Sequence, residues 1–515
     1  MDKWKNNQKV ICLILNIISI LTCCFFVRRI YTNMNRYTGV LLNVYIVGFI
    51  VSIIGVVLFS YTLFHEVKKE KMFLIVGGVF GSLLMILLPV RVAPDETKHA
   101  MTSYKVSDWI LQDNQTSDDF FYMRSCDMDM FSNDWNLEWD PSSEAYEAYY
   151  SKLLETNENQ ELVKMDLSMG LSADYIAYTF SSLGISVGRV FHLNAFITLM
   201  LGRIFNFIFY LLMVYFAIKI IPVGKQLLMT IALFPVALQQ GMSYSYDSPI
   251  IALSLLVIAC SISIYYYGLE KIKHKKLMCV CLLLASLFLI MVKSHAYIFL
   301  GLFPLVAIFK QLGWLNEKVM KWIKRILITI IVLIVVVCIW DKFIGIPTII
   351  QSGSEKLYSF AWVVNHPYKT LCLYLATFKE LGVFYYTTMI SSALGWLNIV
   401  MPFSVLVIYS VILVFNLFKR DNESCLIDGT MRLFSFGTFL LTLVCVMMGM
   451  LLFWTTDECT TIGGVQGRYL IPVFFLCCIG LKENKIQIPS KLDFLSNVGI
   501  VCSYLMIINY LLNRF

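Results

Sequence analysis

Charge is what this sequence has least of. Only 15% of its 515 residues are Asp, Glu, Lys or Arg, and 58% are hydrophobic. A soluble domain carries about 25% charged and about 45–50% apolar residues. So little charge cannot cover a water-facing surface, and lipid must solvate much of the chain. No C-x-x-C pair with zinc-site spacing occurs among the 15 cysteines. Most of them (Cys23, Cys24, Cys279, Cys281, Cys477, Cys478) lie in apolar runs, where cysteine behaves as a small hydrophobe. Walker loops, H-E-x-x-H and haem-attachment motifs are likewise missing. No stretch joins dense basic charge to exposed aromatics, so the net charge of +7 is not a nucleic-acid patch. Nor is a cleavable leader expected. The first apolar run, 10–27, has basic residues on both sides and no small-residue cleavage site, and reads as a retained helix.

What the chain does have is long apolar runs. A spanning helix needs ~20 mainly apolar residues. Such runs fall at 10–27, 39–64, 71–90, 194–221, 225–241, 249–268, 277–292, 296–312, 326–345, 399–418, 432–454, 469–481 and 494–512, with 367–390 as a further short or re-entrant candidate. The expected fold is an all-α polytopic membrane protein with thirteen transmembrane helices. It divides into three helices over 1–90, a polar loop over 91–193, and ten helices over 194–515 with a second loop at 346–398. The basic clusters Lys271–Lys276, Lys318–Arg325, Lys419-Arg420 and Lys482–Lys485 alternate correctly for one side, which the positive-inside rule makes cytoplasmic. Loops 91–193, 242–248, 293–295, 346–398 and 455–468 then lie outside. The first hairpin fits less well, because Arg28, Arg29 and Arg36 would also be outside. Loop 91–193 is acidic and aromatic, and helices rather than a separate soluble domain are expected along it. Cys126 and Cys459 share the outer side, which leaves a disulfide open. No internal repeat is evident, and the paired broken helices of a secondary transporter are not expected.

Pro94-Asp95-Glu96-Thr97-Lys98-His99 is the sharpest constellation. It reads as a helix start, with Pro at the first helical position and acids complementing the helix dipole. Such a cluster at a membrane surface suits a general base with supporting groups, and a plain helix cap equally. Asp247, in Pro235–Pro249, precedes a span and also fits a cap. Gly463-Gly-Val-Gln466-Gly-Arg468-Tyr469 pairs glycines, which let a ligand approach backbone, with a guanidinium suited to phosphate. Arg468 at a membrane boundary would also simply snorkel to headgroups. Lys293 and Arg203, at or inside apolar runs, are functional candidates because intramembrane charge is expensive. Asp127-Met-Asp129 matches a sugar-transferase Asp-x-Asp pattern, but such pairs arise by chance in so acidic a loop.

Taken together, these pieces resemble a family of bacterial membrane proteins, the domain of unknown function 2142 family. The matching segments are Pro94-Asp95-Glu96-x-x-His99, Leu201-Gly-Arg203-x-x-Asn206, Pro235 through Asp247, Lys293, His366-Pro367, Gly395-Trp396 and Gly464-Val-Gln-Gly-Arg-Tyr469-x-x-Pro472, in family order. Family members often have one span before Pro-Asp-Glu, where this chain has three. The family in turn resembles the type C (GT-C) glycosyltransferases, multi-span enzymes that use polyprenyl-phosphate sugars. The resemblance implies a hexosyl- or other glycosyltransferase of the bacterial plasma membrane. It would move a sugar from a polyprenyl-phosphate donor to a cell-envelope glycan acceptor on the outer face. Asp95 would be the general base, Glu96 would orient it or the acceptor, and Arg468, with Lys293 or Arg203, would hold the leaving phosphate. His99, Asp247, Gln466 and Tyr469 would contribute to substrate binding. A divalent metal is left open, with Asp95, Glu96 and His99 as its ligand set. The alternatives are a flippase or transporter of lipid-linked sugars, and a glycan polymerase or assembly protein.

Overall fold

In lipid the backbone must satisfy its own N–H and C=O groups, so apolar runs become helices. The computed structural model describes residues 2–33, 39–65, 67–112, 117, 119–131, 143–154, 160–166, 173–323, 325, 328–329, 332, 357–419, 426–483 and 491–514. Three helices lead: α1 (Asp2–Asn33), α2 (Gly39–Phe64) and α3 (Lys69–Leu87). The polar segment that follows contains α4 (Glu96–Ile110), a two-stranded antiparallel ribbon of β1 (Phe120–Arg124) and β2 (Leu162–Asp166), and α5 (Thr179–Val190). Next come α6 (Ala195–Ile220), α7 (Pro235–Met242), α8 (Asp247–Tyr267) and α9 (Lys275–Met291). The remainder holds α10 (Pro367–Ile390), α11 (Phe403–Phe418), α12 (Gly429–Phe453), α13 (Ile471–Leu481) and α14 (Lys491–Arg514).

The protein is a helical, multi-pass membrane protein. Among the described residues six helices are long and apolar enough to cross a bilayer: Leu42–Thr62, Lys69–Leu87, Ala195–Ile220, Asp247–Tyr267, Gly429–Phe453 and Leu492–Asn513. Three further apolar helices are shorter, Ile298–Gln311, Phe403–Phe418 and Gly467–Leu481. Most of the run 326–345 falls outside the described residues. The spans divide by burial. The most apolar stretch of α8 is 94% buried, against 28% for that of α2. α8 is therefore the axis of the bundle, while α2 turns Ile50, Ile54 and Val57 outward, as a lipid-facing helix should.

The apolar run 225–241 is not a single helix but Lys225–Ala232 and α7, parted at Leu233-Phe234. Pro235 has no N–H to offer the ladder, and its ring blocks the preceding turn. The freed carbonyls are taken by tyrosines from three helices. Tyr210 of α6 donates to Ala232 O at 2.7 Å; Tyr409 of α11 and Tyr504 of α14 donate to Leu233 O at 2.5 and 3.0 Å. The run 296–312 carries only a short irregularity at Leu302-Phe303, where the backbone stays in the right-handed helical region ahead of Pro304.

Close helix crossings rest on glycine. Gly184 and Gly188, four apart on α5, lie against α6. A Cβ on Gly184 would sit 2.3 Å from Leu201 O, and one on Gly188 2.8 Å from Thr198 Cα. This is the small-xxx-small device of membrane helix pairs. At the end of α3 remote from Asp95, Asp493 of α14 bonds Lys69 at 2.5 Å and also Lys419, tying α3, α11 and α14 together. Cys126 and Cys459 are both free thiols, so the disulfide left open by the sequence is not formed.

Candidate active site

The chain leaves α3 at Leu87 and turns back into α4. Asp95 sits at that turn with φ 58°, in the left-handed region. For a residue other than glycine this costs about 1–3 kcal/mol, and such strain gathers at functional sites. Pro94 is not the first helical residue, as the sequence suggested; α4 begins at Glu96 and Asp95 is its N-cap. Its side chain makes no capping hydrogen bond. The carboxylate turns instead to Arg468, which donates from Nη2 to Oδ2 at 3.2 Å across 373 residues of sequence. The Asp95 side chain stays 46% exposed. A simple cap would spend this carboxylate on its own helix; here it faces solvent beside a buried cation.

Glu96, one position on, does the opposite and is fully buried. Arg203 of α6 grips it bidentately, Nε to Oε1 at 2.7 Å and Nη2 to Oε2 at 2.6 Å. The backbone amides of Arg91 and Tyr244 add bonds at 2.9 and 3.1 Å. Two further donors of Arg203 go to Leu88 O and Pro89 O. Arg203 and Glu96 are both fully buried and committed to each other, away from any surface a substrate would reach. Together they staple the turn that carries Asp95. The segment Leu201-Gly-Arg203-x-x-Asn206 reads directly in these terms. Gly202 admits the Tyr244 hydroxyl, which a Cβ would meet at 2.2 Å, and Asn206 donates to Ser243 O at 2.7 Å.

Behind Asp95 lies a chain of charge. Asp247, at the start of α8, accepts from Lys293 Nζ at 2.8 Å and lies 3.4 Å from Arg468 Nε. Its other role, a helix cap, is not used, since Tyr246 occupies that position. Lys293 lies in three successive left-handed residues, Lys293, Ser294 and His295. Its ammonium stands 3.5 Å over the Tyr469 ring and its amide donates to Asp174. Burial alone would lower the Lys293 pKa, but Asp247 and the nearby tyrosines raise it above the ordinary lysine range. Arg468 is 4% exposed, so it does not snorkel to the surface. Its Nη1 has no hydrogen-bond partner among the described residues. A buried donor left unmet costs about 1–3 kcal/mol, more when charged.

His99 completes the cluster from α4. Its Nδ1 is 2.7 Å from the Tyr178 hydroxyl, and its ring lies 5.0 Å from that of Tyr246. Burial first, and then the Arg468 charge, push its pKa down to about 4; Asp95 and Asp247 oppose this, and Lys293 adds to the lowering. The imidazole is thus neutral when folded, whereas in the unfolded chain it gains a proton near 6.5. Stability from His99 is full above 6.5 and is lost as pH falls toward 4, by up to about 1.4 kcal/mol per pH unit. Thermal melts of the detergent-solubilised protein from pH 7.5 to 4.5 should show this slope, and His99→Gln should flatten it.

Arg468 also borders a small cavity with room for about one water, lined by Gln466, Gln240, Thr388 and Gly395. Gly467 makes the approach of α10 there feasible. A Cβ on it would stand 2.3 Å from both Met389 N and Tyr385 O. Both are backbone atoms, so no rotamer relieves the clash. Gly467→Ala should cost about 1–3 kcal/mol and displace Arg468; a melt together with a full-length expression profile checks it.

The structure thus gathers Asp95, His99, Asp247, Lys293, Gln466, Arg468 and Tyr469, while Glu96 and Arg203 form a separate buried pair. Asp174, Tyr178 and Tyr246 also belong to the cluster; Tyr246 lies within the marked segment Pro235–Asp247, while nothing in the sequence context of Asp174 and Tyr178 marked them. Asp95, Glu96 and His99 do not converge as a metal-ligand set, since Glu96 is bonded to Arg203 and His99 to Tyr178. No group of three His, Cys, Asp or Glu side chains among the described residues is placed to hold a metal. Asp127 of the Asp-x-Asp pair is buried against Arg124, at 2.6 and 2.9 Å, and the Tyr104 hydroxyl. Against the expectation that the chain has no G-x-S-x-G nucleophile motif, Gly184-Ile-Ser186-Val-Gly188 has that form. Ser186 sits within α5, bonded to Ser107 Oγ and Ser182 O, and the glycines serve helix packing.

Fold and site define a multi-pass helical membrane protein with a buried ionic network, opened by one exposed carboxylate, at one end of its bundle. Residues 80–477 match the DUF2142 family, described as predicted membrane protein, and the chain belongs to that family. No curated protein and no solved structure matches it.

Proposed function

We propose that the protein is a membrane glycosyltransferase that moves a sugar from a polyprenyl-phosphate carrier to a hydroxyl of a cell-envelope glycan, on the outer face of a bacterial plasma membrane. The observation that carries this reading is the pairing of an exposed, strained Asp95 carboxylate with a buried Arg468 whose Nη1 is unmet. One group suits a general base and the other suits a phosphate oxygen.

In this mechanism the acceptor O–H gives its proton to Asp95 as its oxygen attacks the anomeric carbon. The bond between that carbon and the phosphate oxygen breaks, and its electron pair leaves on the lipid phosphate. A single displacement inverts the anomeric centre. Arg468 stabilises the charge that develops on the phosphate, usually the largest single contribution to such catalysis. Lys293 and Asp247 hold the Arg468 side chain in place. Glu96 and Arg203 position Asp95 without touching substrate. A transporter would use the proline-broken helix as a path, but the carbonyls freed at Ala232 and Leu233 already have tyrosine partners.

The test is the envelope-glycan composition, by mass spectrometry, of a null strain complemented with wild type or Asp95→Asn. Restoration of a missing sugar by wild type alone supports the transferase. Restoration by both, at equal membrane abundance, removes Asp95 from the chemistry and favours transport or assembly.

A further inference from the structure

Gln239 and Gln240 are neighbours on α7, and the protein bonds them differently. Gln239 Oε1 accepts from Gly395 N at 2.9 Å and its Nε2 donates to Gly395 O at 3.4 Å. Gln240 is fully buried, yet neither its Oε1 nor its Nε2 has a protein partner among the described residues. Arg468 Nη1 is likewise buried and unmet among them. Both side chains line the same small cavity, together with Pro94, Val236 and Thr388. A buried donor or acceptor that nothing bonds is costly, so unmet polar atoms from two side chains at one cavity call for a shared partner.

Size and hydrogen-bonding character limit what that partner can be. The cavity has room for about one water and nothing larger. Gln240 Oε1 needs a donor, and Arg468 Nη1 needs an acceptor. Water is both at once, so one molecule can donate to the amide oxygen and accept from the guanidinium. A small cation would be repelled by Arg468. Chloride donates nothing and would leave Oε1 unmet. The polar neighbours do not compete for the bridge: Gln239 is taken by Gly395, and the Thr388 hydroxyl donates to Phe384 O at 2.6 Å.

We propose that one ordered water bridges Gln240 and Arg468 Nη1, and that through it Gln240 is a positioning residue for the guanidinium. Arg468 is then oriented at each nitrogen. Asp95 and the Tyr469 hydroxyl hold Nη2, the Asp247 charge holds Nε, and the water holds Nη1. Nη1 carries two hydrogens. One meets the water, and the other is left for a phosphate oxygen. The water itself does not depend on the transferase reading; its effect on phosphate rests on that reading.

The first test is a cryo-electron-microscopy map of the full-length protein in nanodiscs, at a resolution that shows buried waters. Density within hydrogen-bonding distance of both Gln240 and Arg468 Nη1 is expected. Its lack, with other buried waters visible, overturns the bridge, and this holds even if neither variant below folds. Val236→Ile adds a methyl group to the cavity wall and should expel the water. Gln240→Met removes one of its partners. The affinity of each variant for farnesyl phosphate is measured by calorimetry, beside a thermal melt. Each should bind about tenfold more weakly than wild type, roughly the worth of one hydrogen bond to a charged group. The double variant should bind no more weakly than either single one, because all three lose the same bridge. A packing defect would instead lower the melting temperature and leave the affinity unchanged, and independent effects would multiply; either result overturns the positioning role. If the density is present but farnesyl phosphate does not bind wild type, the bridge stands and the transferase reading loses its phosphate site. If farnesyl phosphate binds and the density is absent, the reverse holds.

Discussion

Asp95→Asn is expected to lower sugar transfer by about 10²–10⁴-fold, the usual contribution of a positioned general base, while leaving the protein folded and at normal abundance in the membrane. Three features make the substitution clean. Asparagine is among the few residues that tolerate the left-handed conformation Asp95 adopts at φ 58°. The side chain makes no capping bond that α4 would miss. It is also 46% exposed, so losing its charge pairing with Arg468 should cost no more than about 1 kcal/mol. Asp95→Ala is the less informative variant, because it adds backbone strain of about 1–2 kcal/mol to the loss of the base. Initial rates with membranes adjusted to equal protein, alongside a thermal melt, separate chemistry from folding. A stable Asp95→Asn protein with wild-type rates would place the base elsewhere.

Glu96→Gln should behave in the contrary way, although it alters the very next residue. It leaves the Arg203 guanidinium buried and uncompensated, and breaking a buried ion pair costs about 3–5 kcal/mol. A loss of that size consumes much of a typical folding margin of about 5–15 kcal/mol. The expected result is poor recovery of monodisperse protein and a large drop in melting temperature. Arg203→Lys should also fail, because an ammonium cannot reproduce the fork that holds both Glu96 oxygens and the Leu88 and Pro89 carbonyls. The double variant Glu96→Gln with Arg203→Met buries no charge. It should recover part of the loss, so the two single effects are not additive. A Glu96→Gln protein that is stable but inactive would move Glu96 from positioning to chemistry.

The contrast between residues 95 and 96 marks where sequence reasoning stopped. Pro94-Asp95-Glu96 shows two adjacent acids, and spacing alone cannot say which faces solvent. The left-handed turn at Asp95 and the arrival of Arg203 decide it, and both depend on where α6 crosses the end of α3. The same limit applies at Gln239 and Gln240: Gln239 bonds Gly395 N and O, distant in sequence, while the Gln240 amide has no protein partner among the described residues. Asp174 and Tyr178 were invisible because their roles come from what they touch and not from their neighbours in the chain. The break at Pro235 was legible in principle; its tolerance was not, since it requires tyrosines on α6, α11 and α14.

The sequence by itself determined that this is a membrane protein, because 15% charge cannot clothe a soluble surface. It also marked the acids, cations and glycines from which the site is built, because charge at the edge of an apolar run is too costly to be casual. Tertiary structure alone decided how those charges pair. Arg468 meets Asp95 and Asp247, Lys293 meets Asp247, and Arg203 meets Glu96, all across long stretches of chain. The physical reason is that pair energies depend on distance and burial, and these are properties of helix packing that no local pattern of residues encodes.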